Sequence, residues 1–506
     1  MSARATHQHR AVSAPLRRSA RRFGLGIALV TWFAIGLWNV TKPMPPGTDV
    51  ATEFTPSPVA DVAFLADLSY RNGAHEPVRE QEIFDEIFRI IAGARTFLVL
   101  DFFLLNDHAG EAGDQVFRPL SRELVDRLIA VRTARPELDI LVITDPVNTV
   151  YGGEPLEQLD RLQASGIEVV MTDLTRLRDP NPAYSALWRT FVQWFGNSPE
   201  GGWLPNPFES GPSQITLRSW LALLNFKANH RKVVIADQAD GDWVALVTSA
   251  NPHDASSAHS NVALRFRGAL AASVLASELE IAGFSGWRGR LETGPAPQVA
   301  RGAPESFVQL KYTTEGEIRR SLVAAIERSG QGDTIQIATF YLSDRAVIDA
   351  LLDASRRGVG IRVILDPNKD AFGRVKDGIP NRPVAAELVR ESNGNIEVRW
   401  YRTHGEQFHT KLAIVTGPER IYASLGSANL TRRNIGNYNL EANVVVDAAA
   451  DSTLAFEMTE YFDRIWNNND RALGIVYTDP FERWEDPSQL RYWRYRLMEA
   501  TGLSTF

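Results

Sequence analysis

Apolar positions along the chain switch between a helical period and a strand period, and the same switches occur twice. Ile83 to Ala94 carries apolar residues at helical spacing and leads into the strand-like run Phe97 to Leu105; Ile318 to Ile326 leads likewise into Ile335 to Leu342. Leu138 to Thr144 ends in Asp145-Pro146, and Ile361 to Leu365 ends in Asp366-Pro367. Ile167 to Met171 answers Ile396 to Trp400. An internal repeat of this kind predicts two halves of like build, 61–300 and 301–506. Strands alternating with helices predict an α/β sandwich with a mixed sheet in each.

Ahead of the repeat, Gly24 to Val40 is an uncharged, mostly apolar run with Trp32 and Trp38, directly after Arg17, Arg18, Arg21 and Arg22. We expect a membrane-spanning anchor over 23–41, a basic cytoplasmic tail over 1–22 and the body on the extracytoplasmic side. A cleaved signal peptide and a buried core helix are the competing readings. The lack of a clear A-x-A site, with the arginine block and aromatic anchors, favours an uncleaved anchor. Residues 42–60 contain Pro43, Pro45, Pro46, Pro56 and Pro58 and read as an extended tether.

The halves differ in one place. Between Met171 and His230 lie 58 residues, against 8 between Trp400 and His409. The excess, 172–229, includes Trp188, Phe191, Trp194, Phe195, Trp203, Phe208 and Trp220. A lid, a membrane-contacting surface and a satellite core are all open for it. For Trp484, Tyr492, Trp493, Tyr495, Leu497 and Met498 we expect packing.

Composition narrows the function classes. A chain of 506 residues, 44% hydrophobic and 23% charged, is globular. With no cysteine, disulfides and thiolate metal sites or nucleophiles are excluded. The net charge is −7, and residues 1–22 hold six arginines and no acid, which leaves −13 on the remainder. So acidic a body is not the footprint of a nucleic-acid binder.

The candidate chemistry sits at the end of each repeat. His230-Arg231-Lys232 is followed by an apolar run, Asp237, and Thr248-Ser249-Ala250-Asn251; Phe408-His409-Thr410-Lys411 is followed by Leu412 to Val415 and Gly426-Ser427-Ala428-Asn429. In H-x-K on a strand, His and Lys point to one face. An imidazole beside an ammonium makes a poor core and a good phosphate site, because Lys supplies charge and donors while His attacks or moves protons near neutral pH. Ser249, Asn251, Ser427 and Asn429 add neutral donors. A lone H-x-K is most often a surface strand and a lone S-A-N a turn; the paired occurrence in one order carries the case.

These residues resemble the phospholipase D superfamily, in which two H-x-K-x4-D motifs, each followed by G-S-x-N, come together as one active site. The resemblance runs from about residue 60 to 480. The anchor, the tether and the N-x-E-like end of the second motif look most like bacterial cardiolipin synthases and related membrane phospholipases. It implies two tandem phospholipase D-like sandwich halves with one active site at their interface. It also implies no metal and no cofactor, and a phospholipid substrate at a phospholipid membrane; the acidic body and the anchor count against a nucleic-acid partner. One His would form a phosphohistidine while the other protonates the leaving alcohol and activates the incoming alcohol or water. Lys232, Lys411, Ser249, Ser427, Asn251 and Asn429 would hold the phosphoryl oxygens.

The sequence departs from the family pattern at several points. Asp237 fills the motif's acidic position in the first half, and Thr416 stands there in the second; Thr248 replaces the usual Gly. At ten residues beyond Asn251 and Asn429, Asn261-Val262-Ala263 answers Asn439-Leu440-Glu441. That alignment leaves Glu441 to support His230, with Ala263 offering His409 nothing equivalent. It favours His230 as nucleophile and His409 as acid/base. Asp237 is expected to brace its strand end, Asp145 and Asp366 to form turns beside the site, and Arg432 and Arg433 to lie on a solvated face. His253 and His404 are near enough in sequence to reach the pocket. No histidine spacing reads as a metal site. Phosphatidyl transfer, as in cardiolipin synthesis, is the preferred reaction, and hydrolysis to phosphatidate is its variant. A phosphodiesterase acting on nucleic acid and a non-catalytic lipid-binding protein are the alternatives.

Overall fold

The computed structural model describes residues 14–108, 117–208, 212–299, 307–371, 374–504 and 506. Two large sheets organise them. The first runs, in spatial order, Pro77–Glu80, Val62–Arg71, Asn261–Arg267, Trp243–Thr248, Lys232–Asp237, Phe97–Phe102, Asp139–Thr144, Glu168–Met171. The second runs Thr55–Pro58, Phe307–Thr314, Ala442–Ala449, Arg420–Gly426, Lys411–Thr416, Thr334–Thr339, Gly360–Leu365, Ile396–Tyr401, Thr478–Pro480. From Val62–Arg71 in one and Phe307–Thr314 in the other, seven strands correspond in order. The repeat in the apolar pattern is therefore a repeat of topology. Each sheet is mixed, as expected: Phe97–Phe102 pairs parallel with Asp139–Thr144 and antiparallel with Lys232–Asp237, and Thr334–Thr339 does the same with Gly360–Leu365 and Lys411–Thr416.

Strand alternation divides the interior into layers. In Phe97–Phe102, Phe97 and Val99 enter a central cluster built by both halves, while Leu98, Leu100 and Phe102 face an outer cluster under the helices. Helix Ile83–Gly93 covers that outer face with Ile83, Phe84, Ile87, Phe88, Ile90 and Ile91, three and four apart. Each such side chain contributes about 1.5–3 kcal/mol by leaving water. The central cluster also takes Ile364, Leu412, Ile414 and Val444 from the second half. The two halves are thus joined through apolar core, not across a wet seam.

Three segments depart from the expectations. Residues 42–60 are extended, yet they are strapped down: Val50 N–H donates to Thr314 Oγ1 (2.8 Å), Thr52 N–H to Tyr312 O (3.0 Å), and Thr55–Pro58 edges the second sheet. The insertion folds as helix Pro182–Phe191, a two-residue hairpin pairing Leu204–Pro205 with Gln214–Ile215, and helix Leu217–Leu223. Asn181 caps the first helix with Pro182 in its first turn, and Thr216 caps the second. It buries Trp188 but leaves Phe191, Trp194, Phe195 and Trp203 exposed, so it is no satellite core. Near the C-terminus Tyr495 is buried and Trp484, Tyr492 and Met498 pack on the second half's core; Trp493 and Leu497, expected to pack, face outward because they lie on the opposite side of helix Gln489–Thr501.

The N-terminal helix spans Ala14–Thr41. Its stretch Arg21–Thr41 is the one helix among the described residues long and apolar enough to cross a membrane, and it is 11% buried.

Candidate active site

Both histidines are placed by the chain just before a strand. Lys232 and Lys411 open their strands, and the preceding residues cross to the other half: Asn229 bridges Leu440, and Phe408 bridges Ser260. His230 N–H donates to Leu440 O (2.9 Å). Asp145 and Asp366 are more than turn formers. Their Oδ2 atoms accept the N–H of Asn229 (2.7 Å) and Phe408 (2.8 Å), pinning the residue ahead of each histidine. Phe103 and Phe340 follow the neighbouring strands and set their rings 4.9 Å from His230 and 5.4 Å from His409.

Behind the imidazoles the halves diverge. His230 Nδ1 lies 2.8 Å from Glu441 Oε1 and 3.0 Å from Oε2. Ser427 Oγ and Asn434 Nδ2 donate to the same carboxylate. His409 Nδ1 lies 3.1 Å from Asn261 Oδ1, which also accepts from Ser249 Oγ (2.9 Å). Asn261 Nδ2 donates to His259 O (3.1 Å), which fixes the amide's orientation and makes His409 Nδ1 the donor. The expectation that Ala263 faces His409 is corrected. Ser249 N–H pairs with Val262 O and Ser427 N–H with Ala442 O, so the return from serine to strand is two residues shorter in the first half. Asn261 is therefore the counterpart of Glu441: an amide where the other half has an acid.

The serines need the same correction. Ser249 Oγ donates to Asn261 and accepts from Val262 N–H (3.0 Å); Ser427 Oγ donates to Glu441 and accepts from Ala442 N–H (2.9 Å). Each hydroxyl proton is engaged behind a histidine, so neither serine is placed to donate to a phosphoryl oxygen. Lys232 and Lys411 each donate to the carbonyl of their own histidine (2.6 and 2.8 Å) and keep two further N–H groups. Asn251 and Asn429 line the cavity, and Asn429 Oδ1 is buried without a partner. Asp237 sits at the far end of its strand, where it accepts from the N–H groups of Arg95, Thr96 and Phe97.

His230 and His409 face one cavity of about 440 Å³, walled on one side by Phe208, Leu223 and Phe226 of the insertion. Burial, then Lys232, Lys411 and Arg433, holds His230 well below the usual imidazole range; burial, then Lys411 and His259, does the same to His409. Burial brings Lys232 down to about 7 and, with Lys232 beside it, Lys411 lower than its ordinary range. Burial pushes Glu441 up to about 8 against the pull of Lys232, Asn434 and Ser427. An anion placed among these groups favours the charged form of both imidazoles and both lysines.

Several residues were misjudged or missed. Arg433 is not on a solvated face: it lines the cavity, Nη1 donates to Ser504 O (3.0 Å), and Nε is buried unpaired. Arg432 packs on the Tyr438 ring and bonds Glu499. His253 reaches the cavity wall and so does His259, whose ring is 5.6 Å from His409; His404 lies elsewhere, in a surface depression beside Lys369 and Arg402. Arg231, the middle residue of the first motif, is fully buried and pairs with Glu278 (3.1 Å) and, across the halves, with Glu315 (2.8 Å). Glu315 Oε1 in turn accepts from Glu441 N–H (2.9 Å).

Two α/β halves of like topology share a core and bring His230 and His409 to one cavity, with Lys232 and Lys411 buried behind them. The family described as "Cardiolipin synthase, PLD-like domain" matches residues 322–466. Among solved structures, phosphatidylserine synthase from Haemophilus influenzae superposes at TM-score 0.54 with 12% identity, covering 92% of this chain and 99% of that one. Nuc, a phospholipase D family member from Salmonella typhimurium, superposes at 0.26 with 22% identity over 32% of this chain and 95% of that one. No curated protein sequence matches. The family match lies within the second half, and the likeness to the synthase is one of fold over nearly the whole chain.

Proposed function

We propose that the protein cleaves phospholipid phosphodiester bonds through a phosphohistidine and transfers the phosphatidyl group to an alcohol, in the manner of a cardiolipin synthase, with hydrolysis to phosphatidate as the variant. The observation that carries this is the unequal backing of two imidazoles on one cavity, Glu441 behind His230 and Asn261 behind His409. Both Nδ1 atoms are turned away, which leaves Nε2 of each ring for the reaction. His230 Nε2 attacks phosphorus as the P–O bond to the headgroup breaks, and His409 Nε2–H gives its proton to the departing alkoxide. The acceptor alcohol then loses its proton to His409 and attacks phosphorus, the P–N bond breaks, and His230 is released. A carboxylate behind His230 stabilises the positive ring that attack creates. A neutral amide behind His409 leaves that ring free to gain and lose its proton.

Lys232, Lys411, Asn251 and Asn429 hold the phosphoryl oxygens in this reading, and Asn429 Oδ1, buried without a partner, faces an acceptor hydroxyl. The basic residues before Arg21–Thr41 support a cytoplasmic N-terminus, with the halves 61–300 and 301–506 outside the cytoplasm in this reading. The test is product analysis of detergent-solubilised protein with phosphatidylglycerol, beside the His230→Ala variant. Cardiolipin or phosphatidate formed only by the intact protein supports the reading. Neither product, with single-stranded DNA cleaved in parallel, overturns it.

A further inference from the structure

We infer that the 172–229 insertion and the C-terminal helix are seated inside the lipid leaflet on the body's side, so that the catalytic cavity takes its diacyl substrate from hydrocarbon rather than from water. The clause on substrate rests on the proposed function; the seating does not.

The depth follows from contacts along the N-terminal helix. Lys42 O accepts from Arg178 Nε (2.7 Å), Asn39 O from Asp179 N–H (2.9 Å), and Trp32 Nε1 donates to Ala183 O (3.0 Å). At Gly36 the two helices are in contact, a Cβ there standing 3.4 Å from Pro182 O. The insertion thus runs down the N-terminal helix from Lys42 to Trp32. At 1.5 Å per residue that is about 15 Å, roughly half of a 30 Å hydrocarbon core. If Arg21–Thr41 crosses the bilayer, the first turn of helix Pro182–Phe191 lies deep in one leaflet.

The insertion's surface suits that place. Phe191 is 65% exposed, Trp194 76% and Phe195 67%. Around the exposed aromatics the charged groups are paired: Asp179 is held by Arg189 (2.6 Å) and Lys227 (2.7 Å), and Arg218 covers the Trp188 ring while donating to Phe195 O, whereas Arg176 and Glu200 of the insertion are exposed. Paired and buried charge of this kind tolerates a surrounding of hydrocarbon, as lone surface charge does not. The patch continues onto the C-terminal helix, where Leu490, Trp493 and Leu497 lie exposed at spacings of three and four, one helical face. Gly502 joins the two. It has φ +72 and a Cβ there would stand 1.9 Å from Pro180 O, so the chain end is jammed against the base of the insertion. The same insertion supplies Phe208, Leu223 and Phe226 to the cavity wall. One insertion therefore presents apolar side chains both outward and to the cavity that holds the histidines.

Because the chain has no cysteine, single probes are clean. Phe191→Cys, Trp194→Cys and Trp493→Cys would each carry a polarity-sensitive fluorophore in full-length protein in phosphatidylglycerol–phosphatidylethanolamine nanodiscs containing acyl-chain nitroxides. Arg356→Cys, at the end of the strands opposite the histidines, is the control. Emission shifted to the blue and quenched by the nitroxides at the three sites, but not at Arg356→Cys, supports the seating. Quenching of all four by aqueous iodide alone overturns it, whatever the enzyme turns over. In the activity arm, Phe191→Ser with Trp194→Ser should lose roughly tenfold on bilayer lipid and little on a soluble short-chain phosphodiester. Equal losses on both overturn the route from the leaflet.

Discussion

Replacing Glu441 with Gln isolates one electrostatic contribution with little change of shape. In the wild type, Nδ1 of His230 sits between Oε1 and Oε2, Asn434 donates to Oε1, and Ser427 donates to Oε2. The Asn434 amine cannot accept, so Gln keeps its oxygen on that side, 2.8 Å from Nδ1 in the wild-type geometry. Ser427 Oγ already accepts from Ala442 N–H and has a second lone pair for the new amide donor. The tautomer of His230 is therefore kept and only the negative charge is lost. A hydrogen bond to a charged partner contributes about 1.5–3 kcal/mol against about 1 for a neutral one. The difference of about 0.5–2 kcal/mol predicts that Glu441→Gln lowers kcat by roughly 2- to 30-fold, at about 1.4 kcal/mol per factor of ten. The assay is single-turnover release of the headgroup from phosphatidylglycerol, followed by acid quench and peptide mass analysis for the phosphatidyl adduct. The reciprocal pair, Glu441→Gln with Asn261→Asp, should move the adduct from the His230 peptide to the His409 peptide. Wild-type kcat in Glu441→Gln, or an adduct on His409 in the wild type, would refute the reasoning.

Three further outcomes follow from the same geometry. His409→Ala should be inactive on phosphatidylglycerol but should release a p-nitrophenolate leaving group from a phosphodiester, since that departure needs no proton; equal inactivity on both would remove His409 from the acid's role. Both imidazoles are held below their usual range in the substrate-free protein, so the protonated form of His409 gains as pH falls, and kcat/KM should rise from pH about 8 towards 6. The phosphodiester's charge raises that pKa, so the alkaline limb of kcat should lie at higher pH; coincident limbs would contradict the assignment. Arg231→Met leaves Glu278 and Glu315 unpaired in the interior and should cost about 3–5 kcal/mol in urea unfolding, with part recovered by adding Glu315→Gln. A change under about 1 kcal/mol would show that Arg231 does not hold the halves together.

Much of this was legible in the sequence because it is written in local periods. Four of the seven matched strand pairs show as apolar runs of strand length, and each H-x-K lies where a run begins. The groups behind the imidazoles were harder to read, because they depend on how far a loop returns. Equal spacing from Asn251 and Asn429 pointed to Ala263, yet the strand register brings Asn261 behind His409. Ser249 and Ser427 read as phosphate donors because residue type shows capacity to donate and not direction. Arg433 reads as solvated from its neighbour Arg432, and only the closing of Ser504 and Phe226 over it makes it part of the cavity. Arg231 carried no signal at all. The middle position of H-x-K points away from the cavity, and what it meets there, Glu315, lies 84 residues on.

Each histidine is held from behind by the opposite half, His230 by Glu441 and His409 by Asn261. Neither half alone contains an oriented imidazole. During synthesis strand Lys232–Asp237 leaves the ribosome well before strand Ala442–Ala449, and through that interval His230 has no carboxylate behind it. The site is therefore assembled late, and both imidazoles are held only once the last third of the chain has been made.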